Sequence, residues 1–533
     1  MDYKRFGTMV DCSRNAVMTV STVKKWLDLC AEFGHNMFSL YIEDTYEVDD
    51  NPYFGYGRGK YSKEELKEID DYAASKGIEV IPCIQTLAHL NGMVRWLTYK
   101  MDMVDCDDIL LAGEDKVYAL IDNMFKTIKE CFRTDTVNIG MDEAHMIGRG
   151  KYYDIHGDTN RTKILLDHLN RVSEIAKKYG FNLTMWSDMF FRLATGGNYY
   201  DSNAKIDANV GDLIPDNVQL VYWDYYARNK EHLNKMFKAH KKIKDGTWFA
   251  NSLWTSFGMS PLNQYAVKAA KLSTKACIDN KVENFIVTLW GDDGGEVSKF
   301  STIPSLFCNS EFAKGNFKMS DIKAKFKKRF GISYDKFVYL DALYGDETSN
   351  LSKYLLYNDL FTGLYDLYTK EDTPEKFAQM ARKLSPLTKD ETYGYLFETQ
   401  YWLCKVLALK ANMGLRIRKA YKENNKEELK AIIKDLKTVS KLLKKFYVAF
   451  RNQWMKENKP YGFDVQNIRL GGLMQRVEHC TETLQDYVDG KLDRILELEE
   501  EILDIFCGEP GGLRPSGHTR ALWHREIVTP NTF

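Results

Sequence analysis

The sequence lacks the features that mark several classes of protein. Its 533 residues include 10 cysteines, with no CxxC pair and no regular spacing, so we expect reduced thiols and no disulfide framework. Only 11 prolines and 35 glycines occur, which excludes a collagen-like or low-complexity chain. No apolar run approaches the ~18 residues of a membrane-spanning helix, and the N-terminus lacks the apolar core of a secretory signal. We therefore expect a cytoplasmic protein with no membrane association.

An excess of charge of one sign is also absent. The 74 basic and 75 acidic residues leave a formal net charge of −1, whereas nucleic-acid-binding domains usually show a basic excess. No nucleic-acid partner is therefore expected. Aromatic residues, in contrast, are abundant at 13% of the chain.

Short runs rich in β-branched and aromatic residues recur across the first 310 residues, separated by segments with helical periodicity. The eight runs are 6–11, 37–42, 79–84, 136–141, 182–186, 218–223, 247–253 and 284–289. Eight strands alternating with helices predict an α/β fold, a (β/α)8 TIM barrel. The alternative is a doubly wound open sheet, but no glycine-rich phosphate loop follows the first run.

From residue 311 onward the strand pattern stops and helical periodicity dominates. One apolar stripe runs through Leu429, Leu436, Leu443 and Phe450 at helical spacing. We predict two domains: a catalytic barrel over 1–310 and a mainly α-helical C-terminal domain over 311–533. The Gly/Pro-rich tail after residue 507 is predicted to be irregular.

Active sites of such barrels lie at the carboxyl ends of the strands, so the residues that follow each run are the candidates. Indole rings, carboxylates, one arginine and one histidine gather at these positions. A sugar packs its C–H faces on aromatic planes and bonds its hydroxyls to carboxylates and arginine. A single tryptophan at such a place often belongs to the core, but the joint pattern favours a small glycan as ligand. The candidates are Arg14, His89, Asp142, Glu143, Trp186, Trp223, Tyr225, Trp254, Trp290, Asp292 and Glu296.

The adjacent pair Asp142 and Glu143 is the sharpest feature. Mutual repulsion predicts a raised pKa for one of the two carboxyl groups, which suits a general acid. Ordinary glycosidases hold two carboxyl groups ~5–9.5 Å apart on either side of the scissile bond, which sequence neighbours rarely achieve. The pair therefore fits one acid and one helper, with the nucleophile supplied by the substrate. No metal-binding spacing such as HExxH or an EF-hand loop occurs, so no metal and no cofactor are expected.

These residues resemble glycoside hydrolase family 20, the β-N-acetylhexosaminidases. The family signature is a strand that ends in Gly-x-Asp-Glu, which here reads Gly140-Met141-Asp142-Glu143. Arg14, His89, Trp186, Tyr225 and Trp290 fall at the matching strand ends. The resemblance covers residues 1–310 and is nearest to a bacterial subgroup with an N-terminal barrel and a helical C-terminal region.

The resemblance implies exo-acting, substrate-assisted hydrolysis that releases terminal GlcNAc or GalNAc. Glu143 matches the general acid, and Asp142 matches the residue that orients the acetamido N–H. Tyr225 matches the tyrosine that binds the acetamido oxygen, and Arg14 the arginine that holds the 3- and 4-hydroxyls. The remaining matches are pocket walls: Trp186, Trp254 and Trp290, with Trp223 and His89 as further substrate contacts.

Two departures leave recognition of the 4-hydroxyl, and so the gluco/galacto preference, open. Met141 stands where many members have a second glycine. Many members end the last strand in Trp-x-Glu, whereas this chain has Trp290-Gly291-Asp292, with Glu296 as a second candidate for the same hydroxyl. By analogy with the subgroup, we expect a homodimer through the C-terminal domain. The alternatives are a two-carboxylate glycosidase for sugars without an acetamido group, and a barrel that binds glycan without catalysis.

Overall fold

The computed structural model describes residues 3–207, 209–227, 229–256, 258–292, 294–343 and 351–504. The described residues form two compact units. The first contains the chain up to Leu253 together with Ala266–Trp290 and Leu306–Lys318. The second contains Trp254–Tyr265, Gly291–Ser305 and the described residues from Met319 onward. The tail predicted to be irregular after residue 507 lies outside the described residues.

The first unit is a closed barrel of eight parallel strands in sequential order, which confirms the predicted (β/α)8 fold. The strands, numbered along the chain, are β1 Arg5–Asp11, β2 Met37–Glu43, β3 Glu79–Ile84, β4 Thr136–Asn138, β5 Asn182–Trp186, β6 Val218–Trp223, β7 Trp248–Ser252 and β8 Asn284–Leu289.

The strands form where predicted because barrel strands are buried on both faces and therefore read as short apolar runs. All seven residues of β2 are buried. The largest difference is β4, which ends at Asn138, three residues before the predicted end. Gly140 and Met141 have φ values of 71° and 63°, and this left-handed backbone cannot continue a strand. The chain instead turns sharply into Asp142 and Glu143.

Helices follow the strands in the barrel, and several begin with a sequence-encoded cap. Lys63–Ser75 starts with a capping box, in which the Ser62 hydroxyl and the Glu65 carboxylate each accept from the other residue's backbone N–H. A short antiparallel pair, Val104–Cys106 with Ile109–Leu110, lies in the loop after β3. The helices up to residue 313 are Val20–Glu32, Lys63–Ser75, Asn91–Val94, Leu97–Met103, Asp115–Cys131, Lys151–His156, Arg161–Lys178, Asp188–Thr195, Val210–Leu213, Lys230–Ile243, Asn263–Asp279 and Ile303–Ala313, with a 3₁₀ turn at Lys299–Thr302.

From Met319 onward the described chain is helical, which confirms the predicted helical C-terminal region. Its longest helix, Lys426–Glu457, buries the predicted stripe from Leu429 to Phe450. The α-helices are Met319–Phe330, Tyr334–Phe337, Leu351–Tyr357, Thr373–Leu384, Gly394–Lys410, Met413–Lys422, Lys426–Glu457, Phe463–Val488 and Leu496–Glu499, and the 3₁₀ turns are Val338–Asp341, Asp366–Tyr368 and Ser385–Lys389. Within the described residues, no helix has the length and apolarity needed to cross a bilayer.

Gly7 in β1 gives a direct test of the barrel register. Its Cα pairs with Met37 of β2, and a Cβ at residue 7 would lie 1.6 Å from the Met37 carbonyl oxygen. Because that oxygen is backbone, relief requires the strands to move apart, and we expect Gly7→Ala to cost at least ~3 kcal/mol. Thermal unfolding of the variant should show a fall in Tm of several degrees or a failure to fold.

Gly180 provides the matched control in the same unit. It has φ +74° but open space around the Cβ position, so Gly180→Ala should cost only roughly 1–2 kcal/mol of backbone strain. A Tm for Gly7→Ala equal to or above that of Gly180→Ala would contradict the register.

Candidate active site

Side chains from seven of the eight barrel strands meet in a closed ring of contacts at the carboxyl ends of the strands. The ring brings together eight of the residues predicted from the sequence and adds others that the sequence did not single out. Its predicted members are Arg14, His89, Asp142, Glu143, Trp186, Trp223, Tyr225 and Trp290.

Arg14, in the loop after β1, is held on three sides. Its guanidinium lies 3.0 Å from Asp11 Oδ2 and 3.3 Å from Glu43 Oε1. It also lies over the rings of Tyr41, at 4.8 Å, and Trp290, at 5.4 Å. Such a fork of donors, fixed against two aromatic rings, is suited to hold a pair of vicinal hydroxyls.

Gln85, just after β3, connects Tyr41 to the acidic pair. Its Nε2 donates to the Tyr41 hydroxyl at 3.0 Å and to Asp142 Oδ1 at 2.8 Å, and its Oε1 accepts from the Met141 N–H at 3.2 Å. A Cβ on Gly140 would lie 2.0 Å from Gln85 Oε1. The glycine of the Gly-x-Asp-Glu motif is therefore required both by its positive φ and by the close approach of Gln85.

His89 and Asp142 form an ion pair beside Gln85, with 3.2 Å between His89 Nε2 and Asp142 Oδ2. Burial opposes a charge on the imidazole, but the Asp142 carboxylate outweighs burial and raises the pKa of His89 to about 10. Burial likewise opposes ionisation of Asp142, yet His89 and the bond from Gln85 hold the pKa of Asp142 below its usual value. At neutral pH the site therefore contains an imidazolium against a carboxylate.

Glu143 presents its carboxyl group at the mouth of the ring. One oxygen lies 3.1 Å from Arg192 Nη2 and the other 3.7 Å from His89 Nε2. The side chain is 37% exposed, so a substrate has access to it. Its φ of 52° is fixed by its own backbone N–H, which donates to Asp188 Oδ2 at 3.0 Å.

The pKa of Asp142 is lowered, whereas burial raises the pKa of two buried carboxyl groups of the ring, Glu43 and Asp188. Asp188 is fully buried, and burial together with the nearby Asp142 charge raises its pKa to about 7. It also accepts from Arg192 Nε at 3.0 Å. The sequence analysis did not select Asp188 and Arg192, because they act through Glu143. Their spacing of four residues on one helix is the sequence signal that could have found them.

Four aromatic side chains form one wall of the ring. The Trp290 indole N–H donates to the Tyr225 hydroxyl at 2.9 Å, and the Trp223 ring stacks on the Tyr225 ring at 5.2 Å. Trp186 is buried, with its ring centroid 6.0 Å from that of Trp290. Burial raises the pKa of Tyr225 well above its usual value, so its phenol stays neutral.

Three predicted residues belong to the second unit. Trp254 is buried there, edge-on to Tyr265 at 4.9 Å, and Asp292 is half-buried. The side chain of Glu296 is 1% exposed, and its Oε1 lies 2.8 Å from Lys353 Nζ and 3.0 Å from Arg469 Nη1. These two cations compensate the charge of the buried carboxylate. Among the described residues, no group of three or more His, Cys, Asp or Glu side chains is placed to hold a metal ion.

Comparison with known proteins identifies both parts of the chain. The model of the glycosyl hydrolase family 20 catalytic domain matches residues 3–244, and that of the glycoside hydrolase 20C C-terminal domain matches residues 338–510. Together the two matches span more than three quarters of the chain.

The individual relatives have low sequence identity to this chain. A probable β-hexosaminidase of the fungus Arthroderma benhamiae is 23% identical over 268 residues, which is 41% of this chain and 42% of that protein. Bovine hexosaminidase D is 24% identical over 238 residues, 43% of this chain and 65% of that protein. The human hexosaminidase D is 24% identical over 345 residues, 60% of this chain and 68% of that protein. The chain thus spans less than two thirds of the fungal and bovine relatives.

The His89–Asp142 ion pair predicts how stability depends on pH. Because the folded-state pKa of His89, about 10, lies above its ordinary 6.5, its stabilising contribution is complete below pH 6.5 and is lost as pH rises through 10. His89→Gln should therefore be much less stable than wild type at pH 6.5, and the difference should shrink by pH 10. Urea unfolding at a series of pH values measures this.

His35→Gln is the control, because burial lowers the pKa of His35 to about 3 and this imidazole is neutral over the whole range. Its stability difference from wild type should stay constant between pH 6.5 and 10. A constant difference for His89→Gln as well would contradict the charged pair.

Proposed function

The chain belongs to glycoside hydrolase family 20, and on that premise we propose that it is an exo-acting β-N-acetylhexosaminidase. The substrate is a small glycan or oligosaccharide that ends in GlcNAc or GalNAc. One observation carries the proposal: an ionised, half-buried Asp142 next to an accessible Glu143, together with an aromatic wall that contains Trp290 and Tyr225. Such a site offers an acid, a charge stabiliser and an apolar surface for one sugar ring.

Glu143 acts first as general acid and then as general base. It donates its proton to the glycosidic oxygen while the carbonyl oxygen of the 2-acetamido group attacks the anomeric carbon. The anomeric carbon–oxygen bond breaks, and a bicyclic oxazolinium ion forms. In the second step the Glu143 carboxylate takes a proton from a water molecule that attacks the same carbon from the face the leaving group vacated. The bond between that carbon and the acetamido oxygen breaks, which restores the acetamido group, and the configuration is retained.

Asp142 supports this reaction through its charge. The acetamido N–H donates to the Asp142 carboxylate, which makes the carbonyl oxygen more nucleophilic and stabilises the positive charge that develops on the oxazolinium ring. His89 and Gln85 keep Asp142 ionised and fixed for this role, and Trp290 fixes the Tyr225 phenol that contacts the acetamido oxygen. Because the enzyme's charges are in place before the reaction, little reorganisation is needed.

The remaining side chains of the proposed site contact a single sugar ring. Arg14 holds the 3- and 4-hydroxyls, Trp290 and Trp186 pack against the ring and the acetamido methyl, and Trp223 lies beside Tyr225. Further proposed contacts are Trp254, two residues after the end of β7, and Asp292 and Glu296, three and seven residues after the end of β8. An arginine that bonds both the 3- and the 4-hydroxyl requires these hydroxyls to be free of further sugars, which supports exo action.

We further propose two domains, a cytoplasmic location and a homodimer. The catalytic barrel takes residues 1–310 and the helical domain residues 311–533, which the two family-model matches support.

The described cysteines are free thiols, which supports a cytoplasmic location. Exposed apolar side chains on the two long C-terminal helices and the turn between them, Val448, Tyr461 and Ile468, support a homodimer through that domain. Light scattering that gives a monomer mass at micromolar concentration would contradict the dimer.

Two substitutions test the catalytic roles. We expect Glu143→Gln to lower kcat on a methyl β-N-acetylglucosaminide by about 100- to 10,000-fold, because the leaving alkoxide then lacks its proton donor. The loss should be smaller on a nitrophenyl glycoside, whose leaving group departs without protonation. Asp142→Asn should lower kcat by about 100-fold or more on both substrates, because it removes charge stabilisation and not the proton donor.

Glu174→Gln, on the barrel's outer surface, is the matched control and should keep wild-type rates. Near wild-type rates for Glu143→Gln or Asp142→Asn would refute the assigned role of that residue. Equal losses of Glu143→Gln on the two leaving groups would show that Glu143 is not the acid.

A panel of matched aryl β-glycosides tests the substrate class. N-acetylglucosaminide and N-acetylgalactosaminide should be hydrolysed, and the plain glucoside and galactoside should not, because only the first two carry the internal nucleophile. Turnover of the plain sugars at similar rates would favour the two-carboxylate alternative. Binding of all four without turnover would favour a glycan-binding barrel.

A further inference from the structure

Arg192 connects two carboxyl groups of the candidate active site. The helix Asp188–Thr195 starts two residues after β5, and Asp188 and Arg192 lie one turn apart on the same face of it. Arg192 Nε donates to Asp188 Oδ2 at 3.0 Å, and Nη2 donates to Glu143 Oε1 at 3.1 Å. Nη1 donates to the Gly197 carbonyl oxygen at 3.1 Å. Each of the three guanidinium nitrogens therefore has its own partner.

Two aromatic side chains fix the guanidinium further. Its Cζ atom lies 5.8 Å from the ring centroid of Tyr199 and 6.0 Å from that of Trp223. The Tyr199 hydroxyl accepts from the Trp223 N–H at 3.2 Å and lies 2.8 Å from the Ser187 hydroxyl, so it joins the ends of β5 and β6. The Arg192 side chain is only 16% exposed. The barrel therefore sets the position of this cation.

Asp188 and Arg192 hold Glu143 at two points. Asp188 Oδ2 accepts from the Glu143 backbone N–H at 3.0 Å as well as from Arg192. Arg192 contacts the carboxyl group at the other end of the same residue. The Asp188 side chain is 0% exposed, so it does not meet a substrate itself. We call Asp188 and Arg192 the carboxyl clamp.

The carboxyl clamp makes the two oxygens of the Glu143 carboxyl group different. A guanidinium has five N–H donors and no acceptor, and it does not lose its charge in proteins. Oε1 accepts from this cation, and a proton on Oε1 would weaken that bond, because an ionised oxygen is the stronger acceptor. Oε2 lies 3.7 Å from His89 Nε2, which is beyond hydrogen-bonding distance. The proton of the neutral carboxyl group therefore belongs on Oε2.

We propose that Arg192 is a positioning residue for Glu143, which fixes Oε2 as the oxygen that gives a proton to the glycosidic oxygen and later takes one from water. Asp188 orients Arg192 for this task, and the inference rests on the proposed function. In the first step the O–H bond at Oε2 breaks as the glycosidic oxygen gains the proton. The guanidinium stabilises the carboxylate that remains. In the second step the proton taken from water returns to Oε2.

The charges around Glu143 determine how the loss of Arg192 should be observed. The titratable and charged groups that face this carboxyl group are Arg192, His89, Asp142, His145 and Asp188. Removal of the cation at 3.1 Å favours the protonated form of Glu143, because the neighbouring carboxylates remain. Since the first step requires the protonated acid, the basic limb of the pH profile of kcat/KM should move to higher pH. A purely structural defect would lower the rate without moving this limb.

The test uses the full-length protein and methyl β-N-acetylglucosaminide. We expect Arg192→Gln to lower kcat by about 10- to 100-fold and to move the basic limb of kcat/KM up by about 1 in pH. KM should stay within about twofold of wild type, because a positioning residue does not contact the sugar. The loss of kcat should be smaller on the nitrophenyl glycoside, whose leaving group departs without protonation.

Arg192→Lys separates the charge of the clamp from its geometry. It keeps a cation beside the buried Asp188, so it provides the test if Arg192→Gln does not fold. We expect the basic limb to stay at its wild-type pH, because the charge is retained. We expect kcat on the methyl glycoside to fall by about three- to tenfold, because one ammonium group cannot reproduce the planar fork that holds both carboxyl groups.

Arg171→Gln is the matched control in the helix Arg161–Lys178. Arg171 also pairs with a carboxylate, that of Asp115, and its Cζ atom lies 3.7 Å from the ring centroid of Tyr118. The control should keep the wild-type kcat and pH profile.

Three results would overturn the positioning role while the proposed function stands. They are an unmoved basic limb in Arg192→Gln, a change in KM instead of kcat in that variant, and a wild-type kcat for Arg192→Lys. Failure of the wild-type protein to hydrolyse either glycoside would overturn the proposed function and this inference with it.

Discussion

The ion pair between His89 and Asp142 is the interaction on which the rest of the site depends. Both side chains are half-buried, which opposes each charge, and each charge is stabilised mainly by the other. Gln85 adds a hydrogen bond that it donates to Asp142 at 2.8 Å. Removal of either partner leaves the other side chain without its nearest opposite charge, which favours its neutral form.

The backbone between Asn138 and Glu143 fixes the position of Glu143 relative to the ion pair. Gly140, Met141 and Glu143 all have positive φ, so the chain after β4 turns through strained conformations that the surroundings must hold. Gln85 holds the Met141 N–H, and Asp188 holds the Glu143 N–H. This backbone places the two adjacent carboxyl groups in different environments: Asp142 is half-buried against an imidazolium, and Glu143 is more exposed and lies between two cations.

The barrel could be predicted from the sequence because burial on both faces gives each strand a compact apolar run, and helical spacing fills the intervals. The position of Asp142 and Glu143 followed from the rule that barrel sites lie at the carboxyl ends of strands. The same rule reaches Asp188, two residues after the end of β5, but no motif showed that Asp188 and Arg192 contact Glu143, and only the folded structure reveals those contacts. The partners of Glu296 show another limit: Lys353 and Arg469 are distant from it in sequence, and only the folded unit reveals them.

The most direct test of the account is whether the substrate's own acetamido oxygen is the nucleophile. The measurement is kcat for a series of aryl N-acyl-β-glucosaminides whose acyl methyl carries zero to three fluorine atoms. Fluorine withdraws electrons from the carbonyl oxygen without changing the leaving group, so the account predicts that kcat falls steeply with each fluorine added. Rates that are independent of fluorine content would contradict it and would require a nucleophile supplied by the protein.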